Sequence, residues 1–448
     1  MSSTGRSEES IVREVVSVGG PRAVSLLGFV AMGVVDVAMV APLGATSVAA
    51  LALGNAFAAA VMILAVNLFA PVDVMISRAL ATGDHDTVTA THRSSLALVV
   101  ALAVPLVLLY AFPEPILRAM GGTSAEDPEL LAQATAFTRA LAWGVPPALA
   151  TYALRLFVEG HRRMRVTTWI IILANVVNAI GDWILIYGNA GGPELGSAGA
   201  AWSTSIVRMF MCLALVVYIA RDPVLREHAG YRRPWHLDLA RTWKIVSLGF
   251  PAGLRVGARE IYYALLVMLV ARLGTDALTS HQVGYSLLML ANTAQMGFGW
   301  GASIVIARHH ARGDKLAARK AVMATGTIAI SAAVVVATIF VAFAGPIARQ
   351  YSSDPETIAV TTNVLRACAI AHLAAAWSFI GAAGIFALLE MKFAAKVGIT
   401  IQFAFALPCA WLILNETTVG VPGVWLVTAA SEVVVGIAFM ARFRARTR

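Results

Sequence analysis

Residues 21–44 read PRAVSLLGFVAMGVVDVAMVAPLG and residues 76–84 read ISRALATGD; 230 positions later, without a gap, residues 251–274 read PAGLRVGAREIYYALLVMLVARLG and residues 306–314 read IARHHARGD. Pro21 aligns with Pro251, Leu43–Gly44 with Leu273–Gly274, Gly54 with Gly284, and Arg78, Ala81, Gly83 and Asp84 with Arg308, Ala311, Gly313 and Asp314. The identities punctuate both copies at the same places: an entry proline, a turn, a small residue in the next helix and a basic R-x-x-A-x-G-D exit. Such a register is the mark of an internal duplication. The copies differ at their acids. Asp36 aligns with Leu266, and the second copy carries its acid about a turn and a half earlier, at Glu260.

Composition sets the class. The chain is 59% hydrophobic and 13% charged, with mean hydropathy +0.76, where soluble domains carry about 25% charged residues. A polytopic membrane protein is expected. Cys212, Cys368 and Cys409 lie far apart in apolar segments and form no disulfide or metal pattern. The N-terminus lacks the basic start, short apolar run and cleavage site of a secretory signal, so the first apolar segment reads as a retained span.

Twelve apolar segments are long enough to cross a bilayer, near 19–41, 48–76, 94–117, 133–157, 166–188, 198–220, 245–271, 281–307, 321–347, 361–388, 396–414 and 421–441. Helix is the expected state, because a span must satisfy its own backbone hydrogen bonds in lipid. One set of alternate loops and both tails holds most of the 34 Lys and Arg, with clusters such as Arg162–Arg163–Arg165 and Arg442–Arg448. The opposite loops hold only Arg118, Arg272 and Arg349, beside the acidic turns Glu126–Asp127–Glu129 and Asp354–Glu356. The positive-inside rule then places both termini in the cytoplasm. The net charge of +9 is read as a topology signal; the basic clusters are short and sit at span ends, so no nucleic-acid partner is expected.

The fold expected is an all-α membrane protein of twelve transmembrane helices in two pseudo-symmetric six-helix bundles. Residues 1–18 are read as a cytoplasmic tail, 19–220 as the first bundle, 221–244 (with Pro223, Gly230 and Pro234) as a cytoplasmic linker, 245–441 as the second bundle and 442–448 as a basic tail. Gly196-Ser-Ala-Gly199 opening span six and Gly420-Val-Pro-Gly423 opening span twelve add a second matching pair, and small residues there let helices approach closely.

No phosphate-binding loop and no paired-Cys or H-E-x-x-H metal motif occurs, so neither an enzyme nor an ATP-driven pump is expected, and no cofactor. Ionisable residues inside spans remain: Asp36, Asp73, Asp182, Glu260 and Glu432. Each costs free energy in lipid and is a functional candidate by default. Asp36 is read as a proton- or cation-binding acid, against a buried ion pair. Asn178 and Asp182 are one helical turn apart and share a face. Their oxygens suit Na⁺ or a proton relay, with Thr204 as a further oxygen; an interhelical clamp is the competing reading. Glu260 has Arg259 beside it, which fits either a self-satisfied ion pair or a carboxylate that exchanges partners. Asp73, close to Arg78, is read as structural.

In order and spacing, several fragments together resemble the multidrug and toxin extrusion (MATE) transporters. They are Asp36 followed by Gly44, the run Pro71–Asp84, Leu154-Arg155-x-Phe157-x-Glu159-Gly160, Asn178-x-x-x-Asp182-x-x-Leu185-Ile186-x-Gly188, Leu195-Gly196-x-x-Gly199-Ala200-Ala201 and Ser280-His281-Gln282. The resemblance covers nearly the whole chain. It implies two six-helix bundles and export of small organic, cationic amphipathic molecules in exchange for inward H⁺ or Na⁺. It further implies a cation site, with Na⁺ as one candidate ion, at Asp36, Asn178 and Asp182, with Thr204 beside them. Glu260 matches an acid that some members carry on span seven, and Glu260 and Arg259 are read as substrate or coupling residues of the second half. Members with that acid often carry another on span ten, where Leu373–Phe379 offers none. A monomer in the inner membrane is expected. The alternatives are a flippase for a lipid-linked precursor, from the same superfamily, and a receptor or assembly protein that transports nothing.

Overall fold

In the computed structural model, which describes residues 8–121, 127–231, 236 and 238–448, the fold is helical throughout, with no strand among the described residues. The helices of the first half are α1 (Glu8–Val40), α2 (Ala45–Leu68), α3 (Val72–Thr82), α4 (His85–Ala111), α5 (Glu114–Gly121), α6 (Pro128–Ala142), α7 (Val145–Gly160), α8 (Met164–Tyr187), α9 (Ser197–Arg221) and α10 (Pro223–Ala229). Those of the second half are α11 (Leu239–Ala271), α12 (Thr275–Ala311), α13 (Lys315–Ala342), α14 (Ala344–Tyr351), α15 (Pro355–Ala387), α16 (Met391–Ile401), α17 (Leu407–Glu416) and α18 (Gly420–Thr447). Among the described residues nine helical segments are long and apolar enough to span a membrane, and α6 with α7, bent by 48°, make a tenth. The long, more polar α11 and α12 account for the two remaining expected spans. The N-terminal residues 1–7, Glu126 and Pro234 lie outside the described residues.

The duplication is written into the backbone. Gly44 (φ 104°, ψ 172°) and Gly274 (φ 105°, ψ 177°) turn the chain identically before α2 and α12. Gly83 and Gly313 are left-handed at φ 75° and 78°, a conformation that glycine enters without Cβ strain. Asp84 and Asp314 then cap α4 and α13, accepting the backbone N–H of Thr87 and of Ala317, each at 2.9 Å. Gly54 packs on Phe137 of α6, and its mate Gly284 packs on Val364 and Cys368 of the corresponding α15. Prolines break the symmetry. Span two divides into α2 and α3 at Pro71, and span four bends ahead of Pro146 and Pro147, whereas α12 and α15 run unbroken.

The prolines expected at the entry of spans one and seven are interior instead. α1 starts at Glu8 and α11 at Leu239, so each helix runs for several turns before Pro21 or Pro251. Two compact units result: residues 25–253, and residues 254–448 together with the start of α1 up to Val24. Both divisions fall within three residues after a proline.

Within residues 25–253, α8 and α9 pack closely because Gly181 and Gly199 lack side chains. A Cβ on Gly181 would lie 2.5 Å from Ser203 Oγ, and one on Gly199 would strike the Leu185 carbonyl. α10 is tied to α4 by Thr89, whose hydroxyl donates to the His228 carbonyl at 2.8 Å. In the other unit α15 is central, packed on α12, α13 and α18 through a run of alanines and glycines. Without a hydrophobic drive between helices in lipid, such close backbone approach supplies the packing energy. All three cysteines are free.

Candidate functional site

Four residues from three helices meet inside the unit formed by residues 25–253. Asp36 comes from α1, Asn178 and Asp182 from α8, and Thr204 from α9. Asn178 Nδ2 donates to Asp36 Oδ1 at 2.7 Å and to Asp182 Oδ2 at 2.6 Å. The Thr204 hydroxyl reaches Asp36 Oδ2 at 3.5 Å, the long edge of a hydrogen bond. Asp36 is 8% exposed; Asn178 and Asp182 are fully buried.

Local structure explains the meeting. The i, i+4 spacing on α8 stacks Asn178 and Asp182 on one face. Ser203 of α9 donates to the Asn178 backbone carbonyl at 3.1 Å, an approach that Gly181 permits. Tyr187 at the end of α8 donates its hydroxyl to the Met39 carbonyl, pinning α1 beside α8. Met32, Ile171, Ala174, Val207 and Met211 form an apolar cluster among the same three helices. Arg208, one turn past Thr204, adds a positive field at Asp36 without an ion pair.

Among the described residues, Asn178 Oδ1 and Asp182 Oδ1 are buried and have no hydrogen-bond partner. Two carboxylates on one amide repel each other when both are ionised, and one added positive charge relieves that repulsion. With the amide N–H₂ between them, the carboxylates are arranged to take a proton. Turned over, the amide would present Oδ1 and complete an oxygen set for Na⁺; which way an amide points is an assignment from its hydrogen bonds.

The acid of the second half sits differently. Glu260 is 42% exposed at its side chain and, among the described residues, pairs with its neighbour Arg259, at 3.6 Å. No acid lies on α15 between residues 357 and 387. That helix carries instead the buried His372, which sequence reasoning passed over. Its Nδ1 donates to Asn292 Oδ1 at 2.8 Å and its Nε2 accepts from Gln295 Nε2 at 2.9 Å. The signal was present in the sequence: Asn292 and Gln295 are i, i+3 polar residues inside an apolar segment. Asp73 is buried, with Oδ1 accepting the Val74 N–H at 2.7 Å.

A family model described as MatE matches residues 21–184 and again residues 251–414. This chain belongs to the MatE family. The two matches stand at the 230-residue offset of the repeat, so each half carries one copy. By that register Pro408 and Leu412 occupy the positions of Asn178 and Asp182, and the amide-bridged carboxylates are not duplicated.

The "Probable multidrug resistance protein NorM" of Bradyrhizobium diazoefficiens is 25% identical over 441 residues, 97% of this MatE chain and 93% of that protein. "Multidrug resistance protein MdtK" of Pectobacterium atrosepticum is 24% identical over 444 residues, 96% of each chain. Among solved structures, an outward-facing multidrug resistance MATE family transporter superposes with a TM-score of 0.87 at 18% identity, covering 100% of this chain and 99% of that one. A MATE structure in the straight conformation gives 0.85 at 18% identity over 98% and 96%. The MatE chain thus has the two-lobed helical MATE fold and is a multi-pass membrane protein, not an enzyme.

Proposed function

We propose that this MatE protein is a secondary-active antiporter that exports small organic, cationic amphipathic compounds in exchange for inward H⁺ or Na⁺. One observation carries the reading: the Asn178 amide joins Asp36 of α1 to Asp182 of α8 in a buried, acid-rich site. The names of the relatives, multidrug resistance proteins, support the export of drug-like molecules. Ion binding at Asp36 and Asp182 would favour one access state, because a ligand shifts only an equilibrium whose states it binds unequally. Asn178 and Thr204 supply polar atoms to the site, and Glu260 with Arg259 serves the second half. In this reading the protein is a monomer in the inner membrane, with bundles 19–220 and 245–441 joined by 221–244 and the termini and basic loops on the cytoplasmic side.

Reconstituted protein loaded with a cationic dye tests this, with ΔpH and Na⁺ gradients imposed separately. Efflux should follow one gradient and vanish in Asp36→Asn, with the protein still folded. Efflux that needs neither gradient, or that survives in Asp36→Asn, overturns the reading.

A further inference from the structure

Span eleven is not a regular helix. α16 ends at Ile401, residues Gln402–Ala406 form a π-helical turn, and α17 resumes at Leu407. Pro408 accounts for the turn: it has no N–H to give and its ring crowds the carbonyl of Ala404, four residues back. A π turn shifts the register of the side chains around it and recurs at functional sites. Here it places Gln402 on a narrow cleft lined also by Arg255 and Arg259 of α11, Ser378 of α15, and Ser431 and Glu432 of α18.

The arginines are held without being satisfied. The Arg255 guanidinium lies 5.7 Å from the Phe386 ring centre and 5.9 Å from that of Phe439. Its stem rests on Gly398, where a Cβ would come within 3.2 Å. Among the described residues Arg255 makes no hydrogen bond and no ion pair, and the Nε donors of both Arg255 and Arg259 are buried without a partner. Arg259 spends one terminal nitrogen on Glu260. Glu432 acts on Arg255 through its charge but does not close to contact. Donors left unpaired in an apolar setting are costly. Two guanidinium groups one helical turn apart present planar forks that match the oxygens of a carboxylate or a phosphate ester. Of the charged side chains that line the cleft, Glu432 offsets one of the two arginines and leaves a single net positive charge, so a singly charged anion suits the cleft better than a doubly charged one.

We propose that this cleft binds a singly charged oxyanion, a carboxylate or a phosphodiester, through Arg255 and Arg259, with the Ser378 hydroxyl beside them; the Ser431 hydroxyl already donates to the Thr428 carbonyl at 2.7 Å. The anion comes from an exported compound or from a lipid headgroup. The site lies in a different unit from Asp36, and its test reads binding, so it stands or falls apart from the antiport reading.

The experiment titrates full-length protein in detergent, at fixed ionic strength, with benzoate against benzamide and with dioctanoyl phosphatidylglycerol against dioctanoylglycerol, followed by calorimetry. One of the anions should bind saturably and its uncharged counterpart should not. Benzoate binding identifies the solute source and phosphatidylglycerol binding the lipid source; both bear the proposal out. Arg255→Gln should weaken the anion by about tenfold or more, the loss expected when a charged hydrogen-bond partner is removed. Arg255→Lys should lose less, and Glu432→Gln should bind more tightly. If Arg255→Gln does not fold, the Glu432→Gln comparison decides. The proposal is overturned if neither anion binds the wild type, or if the Arg255 and Glu432 variants bind as the wild type does; the arginines then only pack the cleft.

Discussion

Asp36 Oδ1 accepts a 2.7 Å hydrogen bond from the side-chain amide of Asn178, across 142 residues of sequence. The same amide holds Asp182 at 2.6 Å. One N–H₂ group therefore sets the distance between two carboxylates on different helices. If that bridge is the working part of the site, Asp36→Asn and Asn178→Ala should not act additively. A double-mutant cycle on thermal stability in detergent, which both variants retain, should give a coupling of about 0.5–3 kcal/mol, the range for residues in one hydrogen-bond network. Additive losses would mean that the two residues act separately.

The repeat makes a prediction about stability. Gly83 and Gly313 hold the same left-handed conformation at the same place in each half, and a Cβ on either would meet nothing within 4 Å. Space is not the constraint, so Gly83→Ala and Gly313→Ala should each cost the backbone term alone, about 1 kcal/mol. The two losses, read from thermal unfolding in detergent, should be similar. A large difference between them would show that the halves do not share this turn.

Glu390, in the turn before α16, should make the protein sensitive to acid. Arg442 meets it at 2.6 Å and Arg446 at 2.7 Å. Partial burial works to raise this carboxyl, but the hydrogen bonds and charges of the two arginines outweigh it, and Glu390 titrates below its ordinary value. The folded state thus favours the ionised form. Its stabilisation is present above the ordinary glutamate range and is lost as pH falls through the lowered value. The groups are partly exposed, so Glu390→Gln should cost about 1 kcal/mol or less at neutral pH. The variant's deficit should shrink steadily as pH is lowered from neutral through the acid range; a deficit that does not change with pH would place the effect in packing rather than charge.

His161 should act in a different window. Its Nδ1 donates to the Phe157 carbonyl at 2.8 Å, and its Nε2 accepts from His228 Nδ1 at 2.9 Å. His228 also stacks on His85, and Arg163 pairs with Asp222 nearby at 3.0 Å. Burial pushes His161 down to about 4. The folded state then binds fewer protons than the unfolded chain between about pH 6.5 and that value, so stability falls as pH falls through this window. The protection of amides in α10, which carries His228, should fall between pH 7 and pH 5 once the slowing of intrinsic exchange over that range is divided out. His161→Gln should flatten that dependence. An unchanged dependence would assign the pH response to other groups.

Much of this was readable in the residues. Matching glycines at 44 and 274, and at 83 and 313, mark turns because positive φ admits few other residues. Asn178 and Asp182 announce a shared face because helical geometry brings i and i+4 together. The missing acid on span ten is visible as Leu373–Phe379. Other features were not readable. Pro21 and Pro251 looked like helix entries, because proline usually stops a helix read from its C-terminal side; the packing of Gly19 against Phe298 and of Gly249 against Leu68 holds the extra turns in place. Gln402 gave no sign of lining a cleft, since the π turn that re-aims it is a backbone event.

The sequence by itself determined the duplication, the helical state, the places where the chain turns, and the fact that the two halves differ at their acids. Periodicity and turn chemistry are local, and local rules decide them. Only the tertiary structure decided that Asp36 meets Asn178 while Glu260 stays 42% exposed beside Arg259, and that Arg255 lies over Phe386 and Phe439 with its donors unspent. The physical reason is that helices in lipid choose their neighbours by close contact of small residues, such as Gly181 against Ser203. That fit depends on two surfaces at once and has no period along one chain.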